Sequence, residues 1–213
     1  MPVRLKYLAT RTRRLLVRWR ADTRGAAAVE FAFIVPIMAL MFIGAVELSQ
    51  AITVDRRVTQ VASSTADLVA RADKKISQAE IGDIMRVGSY ILKPYSVNPL
   101  QIVLRNVSSS PSNANIAKQS WSCTYNGTGQ AQTCACSNTD FTLPTGLVTT
   151  NDSVVVAEVT YGYVPAVFDF FLKKAFSGAA SYTFAETIHL KPRSQTAMLL
   201  QNDDVTPCAS PTF

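Results

Sequence analysis

An uninterrupted apolar run near the N-terminus constrains the fold of this chain more than any other feature. Residues 26–46 read AAAVEFAFIVPIMALMFIGAV and contain one ionisable side chain, Glu30. A helix needs about 20 apolar residues to cross about 30 Å of hydrocarbon. A buried helix of a soluble core rarely stays apolar on every face. A cleaved secretory signal would have small residues after the apolar run, whereas here three alanines stand at its beginning. The run therefore predicts a transmembrane helix over residues 26–46.

The positive charge of the chain is concentrated before this run. Residues 1–25 hold eight Lys or Arg and one acid, Asp22, which is +7, so the +6 of the whole chain leaves about −1 for the remainder. Cationic flanks stay on the cytoplasmic side, which predicts a cytoplasmic leader, 1–25, and an exported domain, 47–213. A nucleic-acid interface would need a basic stripe on the folded domain, and the near-neutral domain argues against that partner.

Glu30 is the residue that does not fit an ordinary membrane helix. An acidic side chain at the centre of such a helix costs about 2.5–3.5 kcal/mol, and less near the end. One interpretation is that Glu30 reaches the head groups or favours the positive N-terminal end of the helix dipole. The other is that the carboxylate has a function, which depends on its sequence context.

That context, Arg24-Gly25-Ala26-Ala27-Ala28-Val29-Glu30-Phe31, resembles prepilin-type processing signals, as in Flp-type pilins and the pseudopilins of tight-adherence (Tad) pili. The resemblance implies that a prepilin peptidase cuts between Gly25 and Ala26, and it assigns Glu30 and Phe31 to assembly. A free ammonium at Ala26 and the carboxylate of Glu30 on a neighbouring, staggered helix would neutralise each other in an apolar bundle.

Downstream patterns predict an α+β fold of pilin-like type. The helix is expected to continue as a stalk over 47–75, because apolar residues recur at helical spacing, with Pro36 kinking its membrane part. Ser77 and Glu80 form a capping box for a second helix that Pro94 ends. Alternating apolar residues then predict strands of an antiparallel sheet packed on the helices, at 100–104, 155–163 and 182–190.

Two other segments are predicted to be irregular. Residues 106–120 are poor in apolar groups and rich in Ser and Asn, which is typical of a surface loop. Residues 202–213 are expected to be a loose tail, except that they hold Cys208. A stretch of aromatic residues and lysines could contact the membrane surface or a neighbouring subunit, or could equally be buried: Phe168, Phe170, Phe171, Lys173, Lys174 and Phe176.

The four cysteines, Cys123, Cys134, Cys136 and Cys208, all fall on the predicted exported side, where thiols are commonly oxidised. Two disulfides are plausible, with three possible connectivities. A metal site at the C-x-C pair is disfavoured because no second C-x-x-C follows. We predict no metal and no cofactor.

No catalytic set is apparent in the sequence. The chain has one histidine, His189, no G-x-S-x-G, no phosphate loop and no dinucleotide fingerprint. Four carboxylates of the domain could meet in space, but nothing in the sequence indicates that they do: Asp152, Glu158, Asp169 and Glu186.

Taken whole, the chain resembles the TadE/TadG-like pilus assembly family. The resemblance lies in RGAAAVEFAFIVP at 24–36, VDRRV at 54–58 and VAEVTYGYVP at 156–165. It implies a non-enzymatic minor pseudopilin, TadE- or TadF-like, of the inner membrane, which helps to assemble an adhesive Flp (type IVb) pilus. Its implied partners are the prepilin peptidase, other pilins and the pilus assembly platform. An uncleaved assembly factor and a membrane-tethered exported enzyme or binding domain remain alternatives.

Overall fold

The computed structural model describes residues 25–73, 75–127, 132–167, 169, 181–193, 198–201, 208 and 210–213. The basic leader before Gly25 lies outside the described residues, and so does the aromatic and lysine stretch between Phe168 and Phe176. In chain order the described elements are α1 (Ala26–Arg71), β1 (Lys75–Ser77), α2 (Gln78–Ile91), β2 (Leu100–Ser109), β3 (Ala117–Asn126), β4 (Gln132–Asp140), β5 (Ser153–Tyr163), β6 (Tyr182–Leu190) and β7 (Leu199–Gln201).

The chain divides into two compact units between Glu47 and Leu48, a boundary that lies within the continuous helix α1. The first unit contains the apolar part of α1. The second contains the remainder of α1, helix α2 and all described strands. Helix α1 continues without a break through Pro36.

The second unit is built on a five-stranded antiparallel sheet of order β4-β3-β2-β5-β6. The short strands β1 and β7 form a separate parallel pair. The prediction of an α+β fold, with a long N-terminal helix, a second helix and an antiparallel sheet, is confirmed.

The main core lies between one face of this sheet and the two helices. Helix α1 contributes the buried residues Val54, Val58, Val61 and Val69, and α2 contributes Ile81 and Met85. The sheet contributes alternate residues, as a half-buried strand requires: Leu100, Ile102, Leu104, Trp121, Cys123, Tyr125, Val155, Ala157, Val159, Tyr161 and Tyr163. On the opposite face a smaller cluster around Val107 and Val154 is covered by part of the β4–β5 connection.

The predicted start of the second helix is confirmed in detail. The Ser77 hydroxyl accepts a hydrogen bond from the Glu80 N–H at 3.1 Å, and the Glu80 carboxylate accepts one from the Ser77 N–H at 2.8 Å. Two backbone donors at the start of the helix that would otherwise lack partners are thus satisfied. Helix α2 ends at Ile91, with Leu92 as its C-cap, just before Pro94.

The prediction of a surface loop over 106–120 is wrong at both ends. Residues 106–109 belong to β2 and residues 117–120 to β3, and the two segments pair with each other. Their polar side chains are buried because they hydrogen-bond to one another: Asn106 Nδ2 donates to Ser120 Oγ at 2.8 Å, and Ser153 Oγ donates to Asn106 Oδ1 at 2.9 Å. Buried polar groups are tolerated when they are paired in this way.

The C-terminal residues are also more ordered than a loose tail. Cys208 is buried, and its N–H donates to the Leu200 carbonyl at 2.9 Å. Further on, Thr212 accepts hydrogen bonds from Lys118 Nζ at 2.7 Å and from Asn138 Nδ2 at 2.9 Å. The remainder of the predicted tail, residues 202–207 and 209, lies outside the described residues.

Candidate processing and assembly site

Helix α1 begins at Ala26, immediately after Gly25. Both residues are exposed, and a Cβ atom built on Gly25 would meet no described atom within 4 Å. The Gly25–Ala26 peptide bond is therefore open to a large partner as far as the described chain is concerned. A side chain at position 25 can also be accommodated without disturbing the described fold.

Glu30 lies one helical turn after Ala26, about 6 Å further along the axis, because each residue advances an α-helix by about 1.5 Å. Its side chain is exposed, and the described residues provide it with no ion-pair partner. The next cation along α1 is Arg56, which is 26 residues away, or about 39 Å. A partner for the carboxylate must therefore come from the leader, from a head group or from another molecule.

The helix around Glu30 exposes large apolar side chains on all sides. The exposed fraction is 64% for Phe31, 74% for Phe33, 74% for Met41 and 71% for Phe42. An 18-residue window of this helix has a mean hydropathy of 2.3, and none of it is buried. Such a surface is unfavourable in water, and its length and composition suit a helix that crosses a membrane once.

The second half of α1 has a different role, which is seen in the VDRRV segment at 54–58. Val54 and Val58 are fully buried in the core. Between them, Arg57 donates hydrogen bonds to the carbonyls of Ile91, at 2.9 Å, and Lys93. Its guanidinium also lies 5.7 Å from the centre of the Tyr95 ring, a cation–π contact. Arg57 thus connects α1 to the segment that follows α2.

The molecule so described is a single α+β domain joined to an N-terminal apolar helix of membrane-spanning length. Residues 25–67 match the family model described as TadE-like protein. The resemblance stated from the sequence is therefore confirmed for this segment, which associates the chain with Tad pilus proteins. The match begins at Gly25, includes Glu30 and Phe31, and ends before the sheet. No curated protein matches the chain, and no solved structure does.

The structure pairs the cysteines as Cys123–Cys134 and Cys136–Cys208. Cys123 and Cys134 are directly opposite each other on β3 and β4, and Cys136 follows on the same edge strand. Because all four sulfur atoms are in disulfides, the C-x-C pair has no thiolate available as a metal ligand.

Three of the four candidate carboxylates, Asp152, Glu158 and Glu186, do not converge in the described structure. Asp152 pairs with Lys191 at 2.5 Å, and Glu158 pairs with Arg105 at 2.8 Å, six residues or about 20 Å further along the same chain segment. Glu186 is opposite Val159, so it lies on the other face of the sheet from Glu158. His189 is half-buried opposite Val156. These described positions give no support to a paired-carboxylate reaction.

The sequence analysis did not predict that residues 198–200, near the C-terminus, belong to the core. Met198 and Leu200 are buried, and the Met198 carbonyl accepts a hydrogen bond from the Trp121 indole at 2.8 Å. The signal was the apolar run MLL at 198–200, only eight residues before a cysteine. A run this short does not distinguish a strand from an exposed tail.

Proposed function

We propose that this chain is a minor pseudopilin of a Tad (Flp-type IVb) pilus, cut after Gly25 by a prepilin peptidase and inserted in the inner membrane through residues 26–46. The observation that carries the proposal is the position of the TadE-like match. It begins at Gly25 and continues along an exposed apolar helix that has one carboxylate a single turn from its start.

The mechanism follows from the chemistry of that turn. Cleavage between Gly25 and Ala26 would leave a primary ammonium at the first residue of the helix. A second helix displaced by about 6 Å, the axial distance from Ala26 to Glu30, would place its own ammonium beside this carboxylate. Each pair would neutralise two charges that are otherwise costly in an apolar surrounding. The same stagger repeated from subunit to subunit gives a helical assembly.

The exported domain would then be a structural and interaction module. Residues 47–213 would fold in the periplasm with two disulfides, as an oxidising compartment allows. The helical stalk predicted over 47–75 ends at Arg71, because Lys75 already begins strand β1. Other pilins and the assembly platform would contact α1 within the membrane. The proposal involves no enzymatic reaction by the chain, no cofactor and no nucleic acid.

The mature N-terminus tests this proposal. The full chain is produced together with a prepilin peptidase, extracted from membranes and subjected to N-terminal sequencing and intact-mass measurement. We expect Ala26 as the first residue, and the full-length N-terminus in a strain without the peptidase. An intact leader in both strains would identify an uncleaved assembly factor instead.

Substitution at Gly25 gives a sharp control for the cleavage site. Gly25→Trp should block processing and retain the leader, and it should leave the thermal unfolding of the domain unchanged because position 25 is open. Ala28→Ser, at an exposed position three residues into the helix, should be processed normally. Processing of Gly25→Trp at the wild-type rate would contradict a cut at this position.

A further inference from the structure

The residues near the C-terminus form an arm that closes one part of the core. We define the C-terminal arm by its described residues, 198–201, 208 and 210–213. Met198, Leu200 and Cys208 are buried, and β7 pairs with β1 in parallel. Apart from its disulfide, the arm is held by apolar contacts and by a few hydrogen bonds, including the one from Trp121.

The Cys136–Cys208 disulfide is the covalent link between this arm and the edge strand β4. Cys136 is exposed, and an open depression of about 390 Å³ adjoins it. Residues of both β4 and the arm line this depression: Ser137, Asn138, Ser210, Pro211 and Thr212. Cys136 can therefore be approached from solvent through this depression.

The other disulfide is differently placed. Cys123–Cys134 connects two directly paired residues of adjacent strands. Cys123 is completely buried and Cys134 is half-buried, whereas Cys136 of the other bond is exposed. The rate of thiol–disulfide exchange depends on access to the sulfur that is attacked. Cys136–Cys208 should therefore be reduced more readily than Cys123–Cys134, because Cys136 is the most exposed of the four cysteines.

We propose that Cys136–Cys208 is a redox-sensitive latch that holds the C-terminal arm on the domain. A thiolate of a dithiol reductant attacks Sγ of Cys136, and Cys208 leaves as a thiolate that takes up a proton. The second thiol of the reductant then displaces Cys136 as a thiolate, which is also protonated. The reductant becomes a disulfide, and its two electrons have reduced the bond to two thiols.

Reduction of this bond alone would leave the sheet intact and remove the covalent link of the arm. Cys123–Cys134 would still join β3 to β4. Among the described contacts, residues 210–213 would keep those of Lys118 and Asn138 with Thr212, and residues 198–201 would depend on their pairing with β1 and on their apolar contacts. Release of the arm would remove the Met198 carbonyl from the Trp121 indole and admit water to this buried ring.

The latch is tested on the full chain in detergent micelles, in a Trp19→Phe background so that Trp121 is the single tryptophan. The protein is titrated with dithiothreitol, quenched with iodoacetamide and mapped by mass spectrometry. We expect Cys136 and Cys208 to be alkylated at a dithiothreitol concentration at least tenfold below that for Cys123 and Cys134. A red shift of Trp121 emission and faster amide exchange at 198–201 should accompany the first step.

Two double variants separate release of the arm from general unfolding. Cys136→Ser/Cys208→Ser should show the red-shifted emission without reductant and keep the sheet signal in far-ultraviolet circular dichroism. Cys123→Ser/Cys134→Ser should keep the wild-type emission until Cys136–Cys208 is reduced. The latch is refuted if Cys123–Cys134 is reduced first or at the same concentration, or if Cys136 and Cys208 are reduced without any change in emission or exchange. None of these readouts involves pilus assembly, so they are independent of the proposed function.

Discussion

The proposed assembly mechanism depends on the carboxylate of Glu30, which would pair with the ammonium of a neighbouring Ala26. Glu30→Gln keeps the size of the side chain and removes its charge, so insertion in the membrane should be retained or slightly favoured. Pilus output should fall at least tenfold, because the ammonium of a neighbouring Ala26 would lose its counter-charge. Shed pilin measured by immunoblot, together with membrane fractionation, checks both expectations.

The matched control for this variant is Ala32→Gln, two residues further along the exposed helix. It introduces the same amide in the apolar run and keeps Glu30. Its pilus output should stay near the wild-type value. Normal output from Glu30→Gln would eliminate charge pairing as the mechanism.

Arg57 supports a different prediction, which concerns stability. Its hydrogen bonds to the carbonyls of Ile91 and Lys93 are charge-assisted. A bond of this kind contributes about 1.5–3 kcal/mol to the free energy of unfolding. Arg57→Ala should therefore lower the free energy of unfolding by about 2–3 kcal/mol. The adjacent Arg56→Ala, at an exposed position, should change it by less than about 0.5 kcal/mol. Urea unfolding in micelles compares the two, and equal effects would contradict this role of Arg57.

Asp152 makes the stability of the domain dependent on pH. Burial alone would raise the pKa of this carboxyl, but hydrogen bonds from Lys191 and from the N–H groups of Thr149 and Ser153, with the Lys191 charge, hold the pKa below its usual value. A lowered folded-state pKa stabilises the fold above the unfolded value of about 3.9, and this stabilisation is lost as the pH falls through the folded-state pKa.

Asp152→Asn should accordingly destabilise the domain by about 1–2 kcal/mol at pH 7, and the difference from wild type should shrink below pH 4. Asp83→Asn removes an exposed ion pair in which Asp83 Oδ1 lies 3.6 Å from Arg86 Nη1. This control should change the stability little at either pH. Thermal unfolding at pH 7 and pH 3 measures both variants. A constant difference between wild type and Asp152→Asn across this range would contradict the assignment.

At the scale of elements, the sequence was informative wherever burial is apolar and periodic. Helix α1 follows from an apolar run and a helical pattern, and α2 follows from the capping box of Ser77 and Glu80. Strand β5 alternates Val155, Ala157 and Val159 toward the helices, which is the pattern that a half-buried strand must have. Here local preference and tertiary packing favour the same structure.

The second half of β2, which the predicted strand at 100–104 did not include, and strand β3 show why the rest of the sheet was not predictable. Asn106, Ser108 and Ser120 are buried as a mutually hydrogen-bonded group, so the polarity that indicated a loop is satisfied inside the sheet. The register between β2 and β3 also shifts beside Asn106, which interrupts the period of two. Strand β4 has mostly exposed residues and no apolar alternation. Partners distant in the sequence, not local pattern, determine these elements.

The candidate site was more accessible to sequence analysis than the sheet. Gly25, Ala26 and Glu30 lie within six residues and need no tertiary partner within the chain, so the resemblance of this segment to a prepilin processing signal was evident from the sequence alone. The cysteine pairing was not accessible, because Cys208 reaches β4 only through an arm whose buried position depends on β1 and Trp121. Three connectivities remained equivalent without that packing.

At the scale of the whole molecule, topology and cysteine chemistry must agree. If residues 47–213 are exported, the four cysteines lie in an oxidising compartment and should be in disulfides: Cys123, Cys134, Cys136 and Cys208. If the domain stays in the cytosol, the same thiols should be kept reduced. In intact cells treated with a membrane-permeant maleimide, the wild-type chain should remain unlabelled until a reductant is added. Deletion of 26–46 should leave the chain in the cytosol, where all four thiols are labelled directly. Because the leader contains no cysteine, labelling reports on the domain alone. Free thiols on the membrane-inserted wild type would place the domain on the cytoplasmic side and reverse the orientation expected from the eight leader cations.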